Sequence, residues 1–424
     1  MALTAAAPPP AERIAALDLV RGVAVLGILL LNIVSFALPT AAYANPRAWG
    51  GWHGADLAVY LVNFVLFDGK MRGLFSFLFG ASMLLVIERA EARDADPAQV
   101  HIARMMWLFA FGIAHLWLVW DGDILAHYAL VGSVAFAARN MPVHRLLVLG
   151  TMLVALQTAL FAWPTIHSWI ALQLPPDSPD AAQAAAWIAN MRDGYGVPPA
   201  STIAREIDQM RGGYAEIVAT RFAAMRAQPL VQTLLYGAET LAYMLFGMAA
   251  LRSGLLTGTW PVARYRRWAF WCFALSLPPF LALAAWMVVD RFSLISVMGA
   301  TLAAATPIRP VMILGWACLI LALARPGGAL GLRLAAVGRM AFTNYLATSL
   351  ICTTLFYGYG GDLFGRVSRW QLYGVVVLVW AALLLWSTPW LARFRYGPFE
   401  WLWRSLARGR PQPMRRAELA NDTQ

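Results

Sequence analysis

The chain has 424 residues, of which 60% are hydrophobic and 13% charged, against about 25% charged in a soluble domain. That balance excludes an intrinsically disordered chain, which needs the opposite composition, and a large soluble globule, which it could not solvate. The net charge of +11 does not mark a nucleic-acid surface: Lys70 is the only lysine, and the arginines cluster between apolar runs as the positive-inside rule places them.

A hydrocarbon core of about 30 Å needs roughly 20 apolar residues per helix. Residues 17–38 supply the first span. The run is long for a signal-peptide core and starts with both Asp18 and Arg21, so it reads as retained. Residues 57–87 are too long for one perpendicular span and are interrupted at Asp68, Lys70 and Arg72. A short interfacial or re-entrant helix at 57–67 and a second span at 73–87 are expected. Spans at 105–120 and 124–138 form a tight pair across Asp121, Gly122 and Asp123, and 146–163 is the fifth. From 175 to 228 the composition turns rich in Pro, Asp and Arg, with helical patches at 181–191 and 201–209. Apolar runs resume at 230–251, 268–289, 292–324 (broken at Pro307 and Pro310), 337–357 and 372–391.

The fold class is therefore all-α: a polytopic membrane helical bundle of about ten transmembrane helices with one extracytoplasmic insertion. The expected organisation is an N-terminal tail (1–16), an N-terminal transmembrane bundle (17–163), an extracytoplasmic region (164–229), a C-terminal transmembrane domain (230–391) and a basic tail (392–424). Arginine groups at 89–104, 139–145, 252–267, 325–339 and 393–416 fall on one side if the insertion lies on the other. That bias places both termini in the cytoplasm of a bacterial inner membrane, with the lipid bilayer as principal partner. Cys272, Cys318 and Cys352 all lie in apolar runs and read as small core residues, without disulfide framework or metal spacing.

Ionisable groups at membrane depth are the candidates for function. Asp18 and Arg21 share a helix face, as a local ion pair or as an anion-binding arginine oriented by its aspartate. Asn32 returns to a similar face further along. The richest cluster is His115, Asp121, Asp123, His127 and Tyr128. A His with two Asp at a hairpin apex can supply a general base and its orienting carboxylate. In the blander reading Asp123 caps the second helix and His115 bonds a backbone carbonyl. Glu239 sits mid-span, as a site residue or a packing group held by Thr240 and Tyr243. Thr343, Asn344 and Tyr345 are interhelical polar contacts or site residues. His53, His101, His144 and His167 are placed in loops without a role. No metal site is expected.

The residues around Asp18, Arg21, Gly22, Gly27 and Asn32 resemble the N-terminal signature of the bacterial YeiB-like membrane proteins. Gly73 to Gly80 is similar to their second block, and Gly112 to His115 with Trp120 to Asp123 and Tyr128 to Gly132 to the third. Gly338 to Tyr345, Leu355 to Tyr359, Leu363 to Gly365, Gln371 and Phe399 to Arg404 resemble the family's C-terminal domain of unknown function. The N-terminal half also resembles membrane-embedded acyltransferases typified by heparan-alpha-glucosaminide N-acetyltransferase. That resemblance implies transfer of an acyl group from a cytoplasmic thioester to an acceptor across the membrane. This chain has no histidine at the matching spacing upstream of Asp56, which moves the catalytic expectation to His115.

The leading expectation is an acyltransferase using acyl-CoA as co-substrate, with no permanently bound cofactor. The acceptor would be an envelope glycan, lipid or small molecule. His115 would be the general base or transient acyl carrier, Asp123 or Asp121 its orienter, and Asp18 and Arg21 the donor's phosphate or carbonyl contacts. Asn32, His127, Tyr128, Glu239, Asn344 and Tyr345 would line the substrate path. The rival expectation is a proton-coupled carrier or exporter, suggested by broken helices and intramembrane His, Asp and Glu.

Overall fold

The computed structural model describes residues 15–324 and 328–415; the tail up to residue 14, Arg325 and Arg416 lie outside the described residues. All regular structure within them is helical, apart from one isolated antiparallel bridge between Phe394 and Arg415. α1 (Ala15–Ala37) and the short α2 (Ala41–Ala44) lead to α3 (Gly54–Leu66) and α4 (Lys70–Glu91). α3 and α4 form one 38-residue apolar run, broken where Gly69 takes φ +69°, a conformation that glycine adopts without steric cost. The expected re-entrant piece thus continues along α4 instead of turning back.

α5 (Pro97–Leu118) starts well before its apolar run. Asp96 caps it by accepting from the Ala98 amide at 2.8 Å, with Pro97 in the first turn. α6 (Leu125–Ala135) and a 3₁₀ turn to Ala138 return beside it, and α7 (Val143–Ala171) follows. His101, His144 and His167 are therefore helical, not in loops, because α5 and α7 both run beyond the apolar stretches that hydropathy marks.

The insertion holds α8 (Ala181–Tyr195), α9 (Ala200–Met210) and an unexpected α10 (Tyr214–Ala224). α11 (Gln228–Arg252) and α12 (Val262–Val289) come next. α13 (Leu294–Met298) with a π turn, and α14 (Arg309–Leu323), meet at a 61° bend. α15 (Ala329–Arg339) and α16 (Ala341–Phe356) divide at Met340 what reads as one run. α17 (Leu372–Arg393) and α18 (Pro398–Ala407) end the fold.

Seven runs are long and apolar enough to cross a bilayer among the described residues, and the bent pair of α13 and α14 makes an eighth. α6 and α16 are shorter apolar helices. At 1.5 Å per residue the 16 residues of α16 extend about 24 Å, less than the hydrocarbon core. They count as spans in the sequence because an apolar run does not reveal whether lipid or protein surrounds it. α1, α4 and α11 form the buried centre through Val20, Leu74 and Met244, whereas α7, α12 and α17 expose residues such as Met152, Leu275 and Leu378 where lipid would lie.

α15 lies against α1 so closely that a Cβ on Gly338 would stand 1.9 Å from the Asp18 carbonyl oxygen, and one on Gly22 1.9 Å from that of Leu334. The two ends of the bundle differ in chemistry. At one, Arg252 bonds the Arg139 and Met141 carbonyls, and the Trp403 indole donates to the Arg104 carbonyl at 2.9 Å. At the other, the insertion grips the interhelical loops: Glu206 accepts from the Thr40 amide and hydroxyl at 2.8 and 2.6 Å, and Tyr214 donates to the Leu118 carbonyl at 2.9 Å.

Candidate functional site

α5 and α6 can meet closely because Gly112 lacks a Cβ, which would stand 2.2 Å from the Ala126 amide nitrogen. Their hairpin is pinned by Trp120, whose ring stacks on Phe36 at 4.0 Å and whose amide bonds the His115 carbonyl at 2.9 Å. Inside the turn, His115 Nδ1 lies 2.8 Å from Asp123 Oδ1, and both side chains are buried. Asp123 Oδ2 accepts from the Ala126 amide at 2.9 Å. Asp123 therefore caps α6 and orients the imidazole at once, so the two readings of this residue are both satisfied. The contact with Asp123 fixes the plane of the imidazole ring and leaves Nε2 pointing away from the carboxylate. Nε2 is buried and has no hydrogen-bond partner among the described residues.

Asp121 does not join this pair. It turns toward α10, where burial pushes its carboxyl above the usual carboxylate range and Arg221 acts in the opposite direction. His127 is also elsewhere: its two ring nitrogens pair with Thr233 and Thr240 at 3.0 and 2.9 Å, fastening α6 to α11.

A cavity of about 420 Å³ opens among α1, α4, α5, α6, α16 and α18. Its walls carry five arginines (Arg21, Arg89, Arg104, Arg339 and Arg404) against two carboxylates, Asp18 and Glu400. Arg21 pairs with Asp18 at 3.0 Å and donates to Ser82 at 2.5 Å; Arg104 lies 4.1 Å over the Trp403 ring. Glu400 accepts from the Phe342 and Thr343 amides at 2.7 and 3.1 Å, holding the first turn of α16. Burial raises its carboxyl above the ordinary range. Ile124, Tyr128 and Tyr345 also line the cavity, and the Tyr345 ring lies 5.2 Å from that of His115. On α5 the cavity wall extends from His101 to Leu108, and the helical rise from Arg104 to His115 is about 16 Å.

Glu239 is fully buried, and of its partners the sequence pointed to Tyr243 but not to the two arginines. It accepts from Arg72 at 2.5 Å, Arg309 at 3.1 Å and Tyr243 at 2.8 Å, forming a charged triad across α4, α11 and α14. Asn344 is helix glue, donating to the Val337 carbonyl at 3.1 Å and accepting from the Trp386 indole at 3.0 Å. Tyr128 pairs with Ser76 at 2.7 Å. Asn32 is half-buried on α1 and makes no hydrogen bond among the described residues. The fold thus puts Asp18, Arg21, Tyr128 and Tyr345 on one cavity wall, sets the His115–Asp123 pair behind Tyr345 and outside the lining, and leaves Asp121, Asn32, His127, Glu239 and Asn344 elsewhere. The sequence reading missed Arg89, Arg104, His101, Arg339, Glu400 and Arg404 as lining residues. For the four arginines the signal is their clustering at helix ends, which membrane orientation already explains.

Fold and site together define a polytopic all-α membrane protein with a basic cavity and, behind Tyr345 on its wall, a buried His–Asp pair. A family model described as "Protein of unknown function (DUF418)" matches residues 250–410. The chain is 35% identical over 407 residues to "Uncharacterized protein YeiB" of Escherichia coli (strain K12), covering 93% of this chain and 96% of that one. It is 30% identical over 405 residues to "Uncharacterized protein YxaH" of Bacillus subtilis (strain 168), covering 93% and 94%. The chain belongs to this YeiB-like family.

Proposed function

We propose that the protein transfers an acyl group from acyl-CoA to a cell-envelope acceptor. The observation that supports this most is the cavity, which joins a set of arginines to the wall beside a histidine with an oriented, unpaired ring nitrogen. Arg21, Arg104, Arg339 and Arg404 suit the donor's phosphates, since guanidinium binds them in a planar fork. The mixed apolar and aromatic remainder of the cavity suits the thinner thioester arm. His115 Nε2 takes the proton from an acceptor hydroxyl or amine as that atom attacks the thioester carbonyl. The carbon–sulfur bond breaks, the sulfur leaves as CoA thiolate, and the imidazolium returns the proton to it. Asp123 stabilises the charged imidazole meanwhile. By the positive-inside bias the arginine-rich end faces the cytoplasm, where both termini lie, and the membrane is the bacterial inner membrane. A separation between donor and acceptor sides then calls for the pantetheine arm to pass from the cavity beyond Tyr345 to reach His115.

The purified protein with radiolabelled acetyl-CoA and an envelope extract should release CoA and label an envelope component, and His115→Ala should abolish both. Absence of thioester turnover with any acyl donor would overturn the proposal. The triad Arg72–Glu239–Arg309 beside the bent pair of α13 and α14 favours a second reading, a proton-coupled carrier. Proton-dependent uptake by vesicles without thioester turnover is the outcome that would select it.

A further inference from the structure

Between α3 and α12 a groove of about 580 Å³ opens on the outside of the bundle, and every side chain that lines it is Leu, Val or Ala. α12 offers one face of its helix, with Leu277, Leu281, Ala284 and Val288 three and four residues apart. The small side chains of Ala284 and Ala285 give the groove its depth. From Leu277 to Val289 the helical rise is about 18 Å, a little more than one leaflet of a hydrocarbon core of about 30 Å. The Val289 end lies at the insertion end of the bundle, where Asn45 donates to the Tyr195 and Phe292 carbonyls, both at 3.0 Å.

Two exposed arginines stand at that end. Arg291 follows Val289 by two residues, and Arg47 donates to the Arg291 carbonyl at 2.8 Å and lies 5.2 Å over the Trp52 ring. The nearby carboxylates are engaged elsewhere: Asp290 accepts from Ser293, and Asp56 from the Trp370 amide at 2.8 Å. Neither Arg47 nor Arg291 is in an ion pair among the described residues. Membrane orientation does not account for them, because the positive-inside bias gathers short-loop arginines at the opposite end. Arg366 and Arg369, at the insertion end too, are taken up by Asp362 and by the Ala42 carbonyl. An apolar groove one leaflet long that ends in two uncompensated cations is complementary to an anionic lipid. We propose that the groove holds one acyl chain of an anionic phospholipid from the insertion-side leaflet, with the lipid phosphate on Arg47 and Arg291. The lipid braces α3, whose 13 residues extend only about 20 Å, against α12 ahead of the break at Gly69. Its binding is independent of acyl transfer, since the groove and the arginine-lined cavity share no residue.

Native mass spectrometry of the delipidated full-length protein, titrated separately with phosphatidylglycerol and phosphatidylethanolamine, tests the site. A first phosphatidylglycerol should bind saturably and about tenfold more tightly than phosphatidylethanolamine, whose ammonium the arginines repel. Arg47→Gln combined with Arg291→Gln should weaken it about tenfold or more. Ala285→Trp, which fills the groove from a lipid-facing position, should abolish it; should that variant fold poorly, the surface arginine variant still decides. Glycerol 3-phosphate carries the phosphate without the chain and should not displace the lipid. A diazirine on the acyl chain should label peptides covering 57–68 and 275–291. Unchanged affinity in the arginine variant or in folded Ala285→Trp, displacement by glycerol 3-phosphate, or label spread evenly over α7, α12 and α17, as for bulk lipid, would overturn the inference.

Discussion

Removing the Glu239 carboxylate should be among the most damaging single changes in the membrane interior. The residue is fully buried and accepts from two guanidinium groups and one phenol. Glu239→Ala leaves Arg72 and Arg309 facing each other without the carboxylate that bridges them, with Asp68 the remaining acidic group near Arg309. Breaking a buried pair in this way costs about 3–5 kcal/mol, well above the roughly 0.6 kcal/mol of an average interhelical hydrogen bond in a membrane protein. The larger figure applies because charges, not neutral donors, lose their partner. Glu239→Gln keeps an acceptor and loses the charge, so it should fall between the two. Combined with Arg309→Met, which removes one of the stranded cations, Glu239→Gln should cost less than the sum of the single changes, with a coupling of about 1–3 kcal/mol. Denaturant-titrated unfolding in mixed micelles measures each term. A cost below about 1 kcal/mol for Glu239→Ala, with additive double variants, would refute the triad as a structural charge cluster.

Three further outcomes follow from the packing and the burial. Gly338→Ala should destabilise by about 1–3 kcal/mol because its Cβ meets the Asp18 carbonyl, whereas Gly374→Ala, with open space around it, should be neutral or slightly stabilising; thermal unfolding compares them. Thr240→Val should cost about 0.6–2 kcal/mol through the lost His127 contact yet leave CoA release intact, which separates the structural histidine from His115. Burial raises the Glu206 carboxyl above its ordinary value, so its contribution is full below about pH 4 and is lost as pH rises through the raised value. The protection factors of amides around Thr40 and along α9, each rate divided by its intrinsic rate at the same pH, should therefore fall toward neutral pH in the wild type and stay flat in Glu206→Gln.

The helical membrane character was legible because lipid demands long apolar runs, and α1, α11 and α17 appear close to where hydropathy puts them. Helix limits set by caps were not, as the start of α5 at Asp96 illustrates. Neither was the split at Met340, since an apolar run looks alike on either side of a break. The His115–Asp123 pair was legible through local spacing: eight residues around a hairpin can meet only in a few ways. Tyr243, four residues on, was within reach of a local reading, but the two arginine partners of Glu239 come from 167 and 70 residues away. Burial of a carboxylate predicts that partners exist without saying which. The cavity was missed for a related reason. Arginines from five separate segments converge there, and their sequence pattern already had a sufficient cause in membrane orientation.

The most direct test of the proposed chemistry is steady-state CoA release from acetyl-CoA by the wild type, His115→Ala, Asp123→Asn and Arg104→Gln in nanodiscs. With acyl transfer through the arginine-lined cavity, His115→Ala removes turnover and Asp123→Asn lowers kcat, whereas Arg104→Gln raises KM several-fold and leaves kcat nearly unchanged. Equal turnover in wild type and His115→Ala, or none in the wild type with any acyl-CoA and envelope extract, would contradict it.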